Sequence, residues 1–417
     1  MRLMPLGVLI LVPALLAAAP DAAPVETAAW QPAAISKIDL PPPPAATTLS
    51  PPPALRSEEP SVATAPPASV VPPARLVPPT PAPTLRTEPV ASVSAPPLAG
   101  PVAEAPVHNY GPQRLSFPGG VAAAFDVPYQ TWKGFRPLTL DIYQPAPKPW
   151  PMPLIVFVHG GGWNGGDTRH AAGFGDFPAA LAALAAQGYV VASVNYRLSG
   201  EARFPAALMD VKAAIRWLKS RANEAHIDVT RTAVWGEASG GQLAALAGLT
   251  CGVSVFEQQG LAKDAPSDCV QAVVDWYGTT DLKAASDKSG GFTTAPASDV
   301  GEFLGCEPSA CPPGLTRIAS PLSYISATSP AFLIQHGGAD SRVPPEQSQK
   351  LAAALKAANV PVELVLYPDL AQGFSRAGVP DAGASREAME KVISFLAKTF
   401  PAGPMDQKVA QRRGPVY

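Results

Sequence analysis

An α/β fold built on a mostly parallel, doubly wound sheet is what this 417-residue sequence predicts, and three observations carry that reading. Strand-like and helix-like segments alternate from about residue 110 to 400, the rhythm of a parallel sheet covered by helices on both faces. One run, Leu154-Ile155-Val156-Phe157-Val158, is continuously apolar and ends in glycines, as a strand buried on both faces does. Composition separates the N-terminal part from this rhythm: 24 of the 52 prolines lie in residues 20–107, with one aromatic residue (Trp30) and eleven charges. Such a stretch cannot bury enough apolar surface to offset the entropy of ordering its backbone.

The elements follow in order. Leu138-Thr139-Leu140-Asp141-Ile142-Tyr143 alternates and reads as a strand, and 154–158 is the buried strand after it. Residues 179–187 read as a helix and 189–194 as the next strand. Residues 206–221 place Leu208, Val211, Ile215 and Leu218 on one helical face. A strand at 232–235, a helix at 240–249, strands at 270–274 and 331–334, a helix at 347–358, a strand at 362–366 and a helix at 385–399 complete the pattern. Residues 284–320 break it. They are rich in Gly, Ser and Pro and are expected to form an insertion over the mouth of the sheet.

Outside the fold, Met1-Arg2 followed by an apolar run to Ala19 has the pattern of a secretory signal peptide, too short to span a bilayer comfortably. The expected organisation is a signal peptide at 1–19, a disordered proline-rich linker at 20–109, one domain at 110–400 and a disordered tail at 401–417. An exported location, periplasmic or extracellular, follows, with a membrane tether if the signal stays uncleaved. The linker has polyproline rods at Pro41–Pro44 and Pro51–Pro53, which suit a spacer that reaches an envelope or cell-surface partner. Beyond the linker and Arg2, Lys/Arg and Asp/Glu are equal in number, so nucleic-acid binding is not expected. The four cysteines of an exported chain favour two disulfides, and Cys251–Cys269 with Cys306–Cys311 closes the shortest loops. No histidine accompanies them and no Cys-x-x-Cys spacing occurs, so neither a metal nor another cofactor is expected.

Three local motifs fall at strand ends. His159-Gly160-Gly161-Gly162-Trp163 follows the buried strand, where consecutive glycines can turn backbone N–H groups toward an incoming oxygen. Gly236-Glu237-Ala238-Ser239-Gly240-Gly241 joins a strand to a helix. His336-Gly337-Gly338-Ala339-Asp340 follows the strand at 331–334 and leads to Val343-Pro344.

With Leu140-Asp141-Ile142-Tyr143-Gln144-Pro145, Asn195-Tyr196-Arg197-Leu198 and Asp275-Trp276-Tyr277-Gly278, these motifs make residues 125–400 resemble a secreted α/β-hydrolase esterase. The branch it resembles is the bifunctional-feruloyl-esterase-like one, near the hormone-sensitive-lipase-like acetyl and carboxylesterases. The resemblance implies an α/β-hydrolase fold, a nucleophile in the second motif, an acid at Asp340, a histidine after the strand at 362–366, and an oxyanion hole from Gly161, Gly162 and the N–H of Ser239.

Two positions depart from that pattern. The family elbow reads Gly-Glu-Ser-Ala-Gly-Gly. Here Ala238 occupies the nucleophile position, and Ser239 comes one residue late. One residue along a helix turns a side chain by about 100°, so Ser239 is only a fallback nucleophile. The family histidine lies in a Tyr-Pro…His-Gly-Phe segment. This chain reads Tyr367-Pro368…Gln372-Gly373-Phe374 and has no histidine after His336. Of the five histidines (His108, His159, His170, His226, His336), only His170 could approach the mouth as a substitute base.

A glutamine amide cannot accept a proton from a hydroxyl near neutral pH. The expected function is therefore a catalytically degenerate esterase homologue that binds an ester-like or acylated-carbohydrate ligand. The alternatives are a working carboxylic-ester hydrolase using Ser239 and a tethered structural or interaction module. Asp340 and Gln372 should approach Ala238 across the mouth. Trp163, Trp276, Tyr277 and Phe374 should either line or flank it or pack in the core, and Asp210, Asp275 and Asp281 should serve in local hydrogen bonding.

Overall fold

The computed structural model describes residues 113–401, apart from residues 172, 259, 288–298, 307–309 and 313. The signal-peptide and linker segments, His108 and residues 402–417 lie outside the described residues. The strands are β1 (Gln113–Phe117), β2 (Val121–Gln130), β3 (Leu138–Gln144), β4 (Met152–Val158), β5 (Val190–Val194), β6 (Ile227–Glu237), β7 (Ala272–Trp276), β8 (Ala331–Gly337) and β9 (Val362–Tyr367). The helices are α1 (Phe177–Ala186), α2 (Ala206–Ser220), α3 (Ala222–Ala225), α4 (Ser239–Leu249), α5 (Leu282–Asp287), α6 (Asp299–Leu304), α7 (Leu315–Ile318), α8 (Glu346–Ala357) and α9 (Ala382–Thr399).

These nine strands form one sheet in the order β1-β2-β3-β5-β4-β6-β7-β8-β9, and Ser375–Arg376 pairs with Val379–Pro380 in a separate two-stranded sheet. Pairing is parallel from β5 through β9, and β1, β2 and β3 add on antiparallel at one edge. Strand side chains alternate between two cores. On β4, Leu154, Val156 and Val158 meet α2, α4 and α8, while Ile155 and Phe157 face the opposite core with α1 and α9. This is the fold class the alternation predicts. The antiparallel edge is what the sequence reading missed. β1 is exposed nearly throughout, and β2 carries alanines, a proline and a bulge at Asp126 with φ 56°, so neither presents a clear apolar alternation.

Helix starts shift for a local reason. The Asp176 carboxylate accepts a hydrogen bond from Ala179 N, and Asp381 accepts from Gly383 and Ala384, so α1 and α9 begin two or three residues before their expected starts. The expected insertion at 284–320 is described in part, as the end of α5 and the short helices α6 and α7. Two disulfides are present, Cys251–Cys269 and Cys306–Cys311, as the spacing suggested. The first ties the segment after α4 to the segment before β7. Near it, the Lys212 ammonium on α2 is fully buried and held by Asp268 at 2.7 Å and by the Thr250 carbonyl at 2.7 Å.

The turn from β6 into α4 positions the site. All eleven residues of α4 are buried, so the helix is enclosed around its whole circumference rather than on one stripe. Such close seating requires glycine. A Cβ on Gly240 would run into the carbonyl oxygens of Val158 and His159 on β4, and one on Gly236 would run into Gly240 itself. Between them Ala238 holds φ 50° and ψ −118°, a conformation that L residues rarely adopt.

Two stability measurements test this turn. Gly240→Ala should lower unfolding stability by more than about 2 kcal/mol, because the added methyl meets backbone rather than a movable side chain. Ala238→Gly should raise it by roughly 1 kcal/mol, the relief of strain exceeding glycine's entropic penalty. A loss of stability in Ala238→Gly would mean that the backbone there is unstrained.

Candidate active site

The cleft lies at the carboxyl ends of the parallel strands, where open α/β sheets bind ligands. Its volume is about 180 Å³, and the segments after β4, β6, β7, β8 and β9 supply lining residues. Ala238 is half-buried at its floor, and its N–H is held by the Trp276 carbonyl at 2.9 Å. Gly161 and Gly162 line one wall at φ 103° and 65°, and their N–H groups enter no backbone hydrogen bond. Ser239 is the first residue of α4, so its N–H is one of the helix's unpaired donors. The Ser239 hydroxyl is buried against the cleft, near the Tyr196 phenol, with no well-formed hydrogen bond.

Asp340 follows β8 and is buried. Its Oδ1 accepts from the backbone N–H groups of Arg342 and Val343, both at 2.9 Å. The Gln372 side-chain nitrogen donates to the same carboxylate, 3.1 Å from Oδ1 and 2.8 Å from Oδ2. The amide is oriented by its partners: a carboxylate accepts only, so the nitrogen must face it. The structure thus brings Ala238, Ser239, Gly161, Gly162 and Gln372 to one cleft, with Asp340 directly behind Gln372.

The histidines stand elsewhere. His336 is fully buried, with Nε2 2.8 Å from the Val343 carbonyl and 3.4 Å from Asp340 Oδ2, and Nδ1 2.6 Å from Ser348 Oγ. Both neighbours of Nε2 accept, so the proton resides there and Ser348 donates to Nδ1. His159 stacks on Tyr196 with centroids 4.3 Å apart, and burial pulls its pKa down to about 4. His170 is exposed and pairs with Asp167 at 2.8 Å, away from the cleft lining, so it does not supply a base. His226 caps the C-terminus of α3 in the left-handed conformation.

The four aromatics divide between the two expected placements. Trp163 and Tyr277 line the cleft, but Trp276 and Phe374 are buried in the core that holds α1 and α9. Their rings meet edge to face at 5.1 Å. Asp210 pairs with Arg197, Asp281 accepts from Ala284 N, and Asp275 accepts from Gly278 N at 2.8 Å, all local roles.

Several contacts at the site were not anticipated. Trp163 donates its indole N–H to Gln242 Oε1 at 3.0 Å, and Gln242 Nε2 donates to the Ala319 carbonyl, which fixes the glycine loop to α4. Tyr277 donates to Glu237 at 2.8 Å. Burial pushes the Tyr277 phenol up, and the Glu237 charge adds to this. At the rim, Arg342 pairs with Asp299 at 3.2 Å. Arg342 sits between Asp340 and Val343 and could have been flagged from that spacing; nothing in the sequence near Asp299 or Gln242 gives a comparable signal. Among the described residues, no group of three or more His, Cys, Asp or Glu forms a metal site.

Beneath the elbow, burial pushes the Asp275 carboxyl up to about 6, and its Oδ2 has no hydrogen-bond partner. The unfolded value is near 3.9. Between these pH values the folded state keeps a proton that the unfolded chain has lost. The stability this group contributes is thus complete below about pH 4 and is lost as pH rises through 6, on the order of 3 kcal/mol. Asp275→Asn should remove that slope, gaining about 3 kcal/mol relative to the native protein between pH 4 and 7.5 in urea unfolding. An unchanged slope would show that the carboxyl ionises freely.

The comparisons with known proteins agree with this fold. The BD-FAE family model matches residues 140–355, just over half of the chain, and the prolyl oligopeptidase family model matches residues 312–402. The chain is 33% identical over 220 residues to esterase LipC of Mycobacterium tuberculosis (strain ATCC 25618 / H37Rv), covering 52% of each chain, so it spans about half the length of that relative. Among solved structures, Thermogutta terrifontis esterase 2 (phosphoramylated by tabun) superposes with a TM-score of 0.55 at 28% identity, covering 70% of this chain and 98% of that one. A truncated form of a carbohydrate esterase from gut microbiota gives a TM-score of 0.56 at 26% identity, covering 66% and 95%. On fold, motifs and these matches, the chain belongs to the esterase/lipase group of α/β-hydrolases.

Proposed function

We propose that this protein is a catalytically degenerate member of its family that binds a small ester-like or acylated-carbohydrate ligand without turning it over. The observation that carries the reading is the pairing of Ala238, in the strained elbow conformation, with Gln372, whose amide rests on Asp340. A methyl offers no nucleophile, and an amide oxygen accepts no proton near neutral pH. In serine hydrolases, loss of the serine or histidine lowers kcat by about 10⁶-fold, while oxyanion stabilisation and binding alone retain about 10³–10⁴-fold over water. Gly161, Gly162 and the Ser239 N–H keep that donor set, so the cleft retains the means to hold a carbonyl oxygen. The carbohydrate-esterase relative supports a sugar-borne acyl group.

The disulfides bear on location. Two disulfides among the described residues fit a periplasmic or extracellular protein. Among those residues no helix is long and apolar enough to cross a membrane. With the signal-like N-terminus and the proline-rich linker, a domain held away from its anchor by a spacer, and presented to an envelope or cell-surface partner, is the arrangement we infer.

One observation favours a second reading. Ser239 lines the cleft with a buried hydroxyl lacking a well-formed hydrogen bond, so an ester hydrolase using Ser239 is the competing function. Assays of the full chain on acetyl, short-acyl and feruloyl esters separate the two. The native protein should show no turnover above background, and Ser239→Ala should change nothing. Turnover that disappears in Ser239→Ala would overturn the degenerate reading. The triple variant Ala238→Ser, Ser239→Ala, Gln372→His should raise esterase activity by at least about 10³-fold.

A further inference from the structure

The orientation of Gln372 specifies what the cleft can hold. Its nitrogen is committed to Asp340, so its oxygen faces away from that carboxylate, and Gln372 is a wall of the cleft. In an active relative the corresponding place holds a donor to the leaving group once the base has taken a proton. Here it holds a fixed acceptor.

The sheet order supplies the second constraint. β6, which leads into Ala238, has β4 on one side and β7, β8 and β9 on the other. Gly161 and Gly162 follow β4, and Gln372 follows β9, so donors and acceptor stand on opposite sides of the Ala238 methyl. A trans secondary amide points its C=O and N–H in opposite directions. It can place its oxygen among the N–H groups of Gly161, Gly162 and Ser239 and its N–H on Gln372 Oε1. An ester puts an acceptor oxygen where the amide has N–H, and that oxygen would face the Gln372 oxygen, lone pair against lone pair. A site built to pair with an N–H rejects the analogue that lacks it, because a buried acceptor is then left unpaired.

We propose that the cleft recognises a secondary N-acyl amide with a short acyl group, in preference to the ester its relatives act on. The inference rests on the non-hydrolytic reading above and names its ligand class. Ala238 contributes by omission: a methyl in place of a hydroxyl leaves space for the amide plane and no nucleophile to attack it. The walls formed by Trp163, Tyr277 and Val343 keep the acyl group short.

Two matched probe pairs, each differing by one N–H exchanged for oxygen, test this on the full chain. One pair is methyl 2-acetamido-2-deoxy-β-glucoside and its 2-O-acetyl counterpart. The other is N-acetylalanine methylamide and O-acetyl-lactic acid methylamide. Affinities are read by titration calorimetry or saturation-transfer NMR. In at least one pair the amide should bind ten-fold or more tightly than the ester, and which pair responds distinguishes a sugar from a peptide source. Gln372→Leu, checked for folding by circular dichroism, should erase the preference; retention of it would overturn the role given to Gln372. If that variant does not fold, the native protein's preference decides alone. Equal binding within both pairs, tighter binding of the esters, or no binding up to about 10 mM overturns the proposal. Hydrolysis is followed in the same samples. Ser239-dependent loss of the ester would sink the non-hydrolytic reading, whereas an intact ester bound as tightly as its amide would sink only the amide preference.

Discussion

The depth at which α4 seats against β4 and β6 is the constraint on which the site depends. Gly240 can lie against the Val158 and His159 carbonyls only because it lacks a Cβ, and that contact brings the first turn of α4 up to the glycine loop after β4. Once the helix is so placed, the single residue joining it to β6 must take the positive φ seen at Ala238. Gly161, Gly162 and Ser239, whose N–H groups enter no backbone hydrogen bond, then line one cleft. Nothing in this chain of constraints involves a hydroxyl or an imidazole, so a chain that lacks both can keep the geometry intact.

Several buried polar groups around the cleft are held by one another. Gln242 joins the Trp163 indole to the Ala319 carbonyl, and Tyr277 binds Glu237, so the glycine loop, the elbow helix and the residues after β7 form one braced unit. Buried polar groups of this kind stabilise only when fully paired. Their pairing keeps the cleft preorganised without any bound ligand, a property that serves recognition as well as it would serve catalysis.

Much of this was legible in the sequence because strand runs such as 154–158 and the glycine motifs carry strong local signals. The identities at 238 and 372 were readable too, since a motif fixes which position should carry which group. The places of the remaining histidines were not. His336 lies four residues before Asp340 yet points to Ser348 on α8, a contact set by packing between distant elements. The burial of Trp276 and Phe374 likewise depends on how the ends of β7 and β9 turn, which composition does not encode. Nor could an amide's orientation be read: only the carboxylate beside Gln372 shows which end faces the cleft.

Asp340 carries a consequence beyond this site. Its carboxylate closes the turn through the Arg342 and Val343 amides and borders His336, so removing it would leave buried donors unpaired whether or not any ester is ever cleaved. An acid anchored in this way persists for reasons of architecture. Its survival in a sequence therefore carries no information about turnover, and in chains of this kind the residues at the elbow and after β9 are the diagnostic ones.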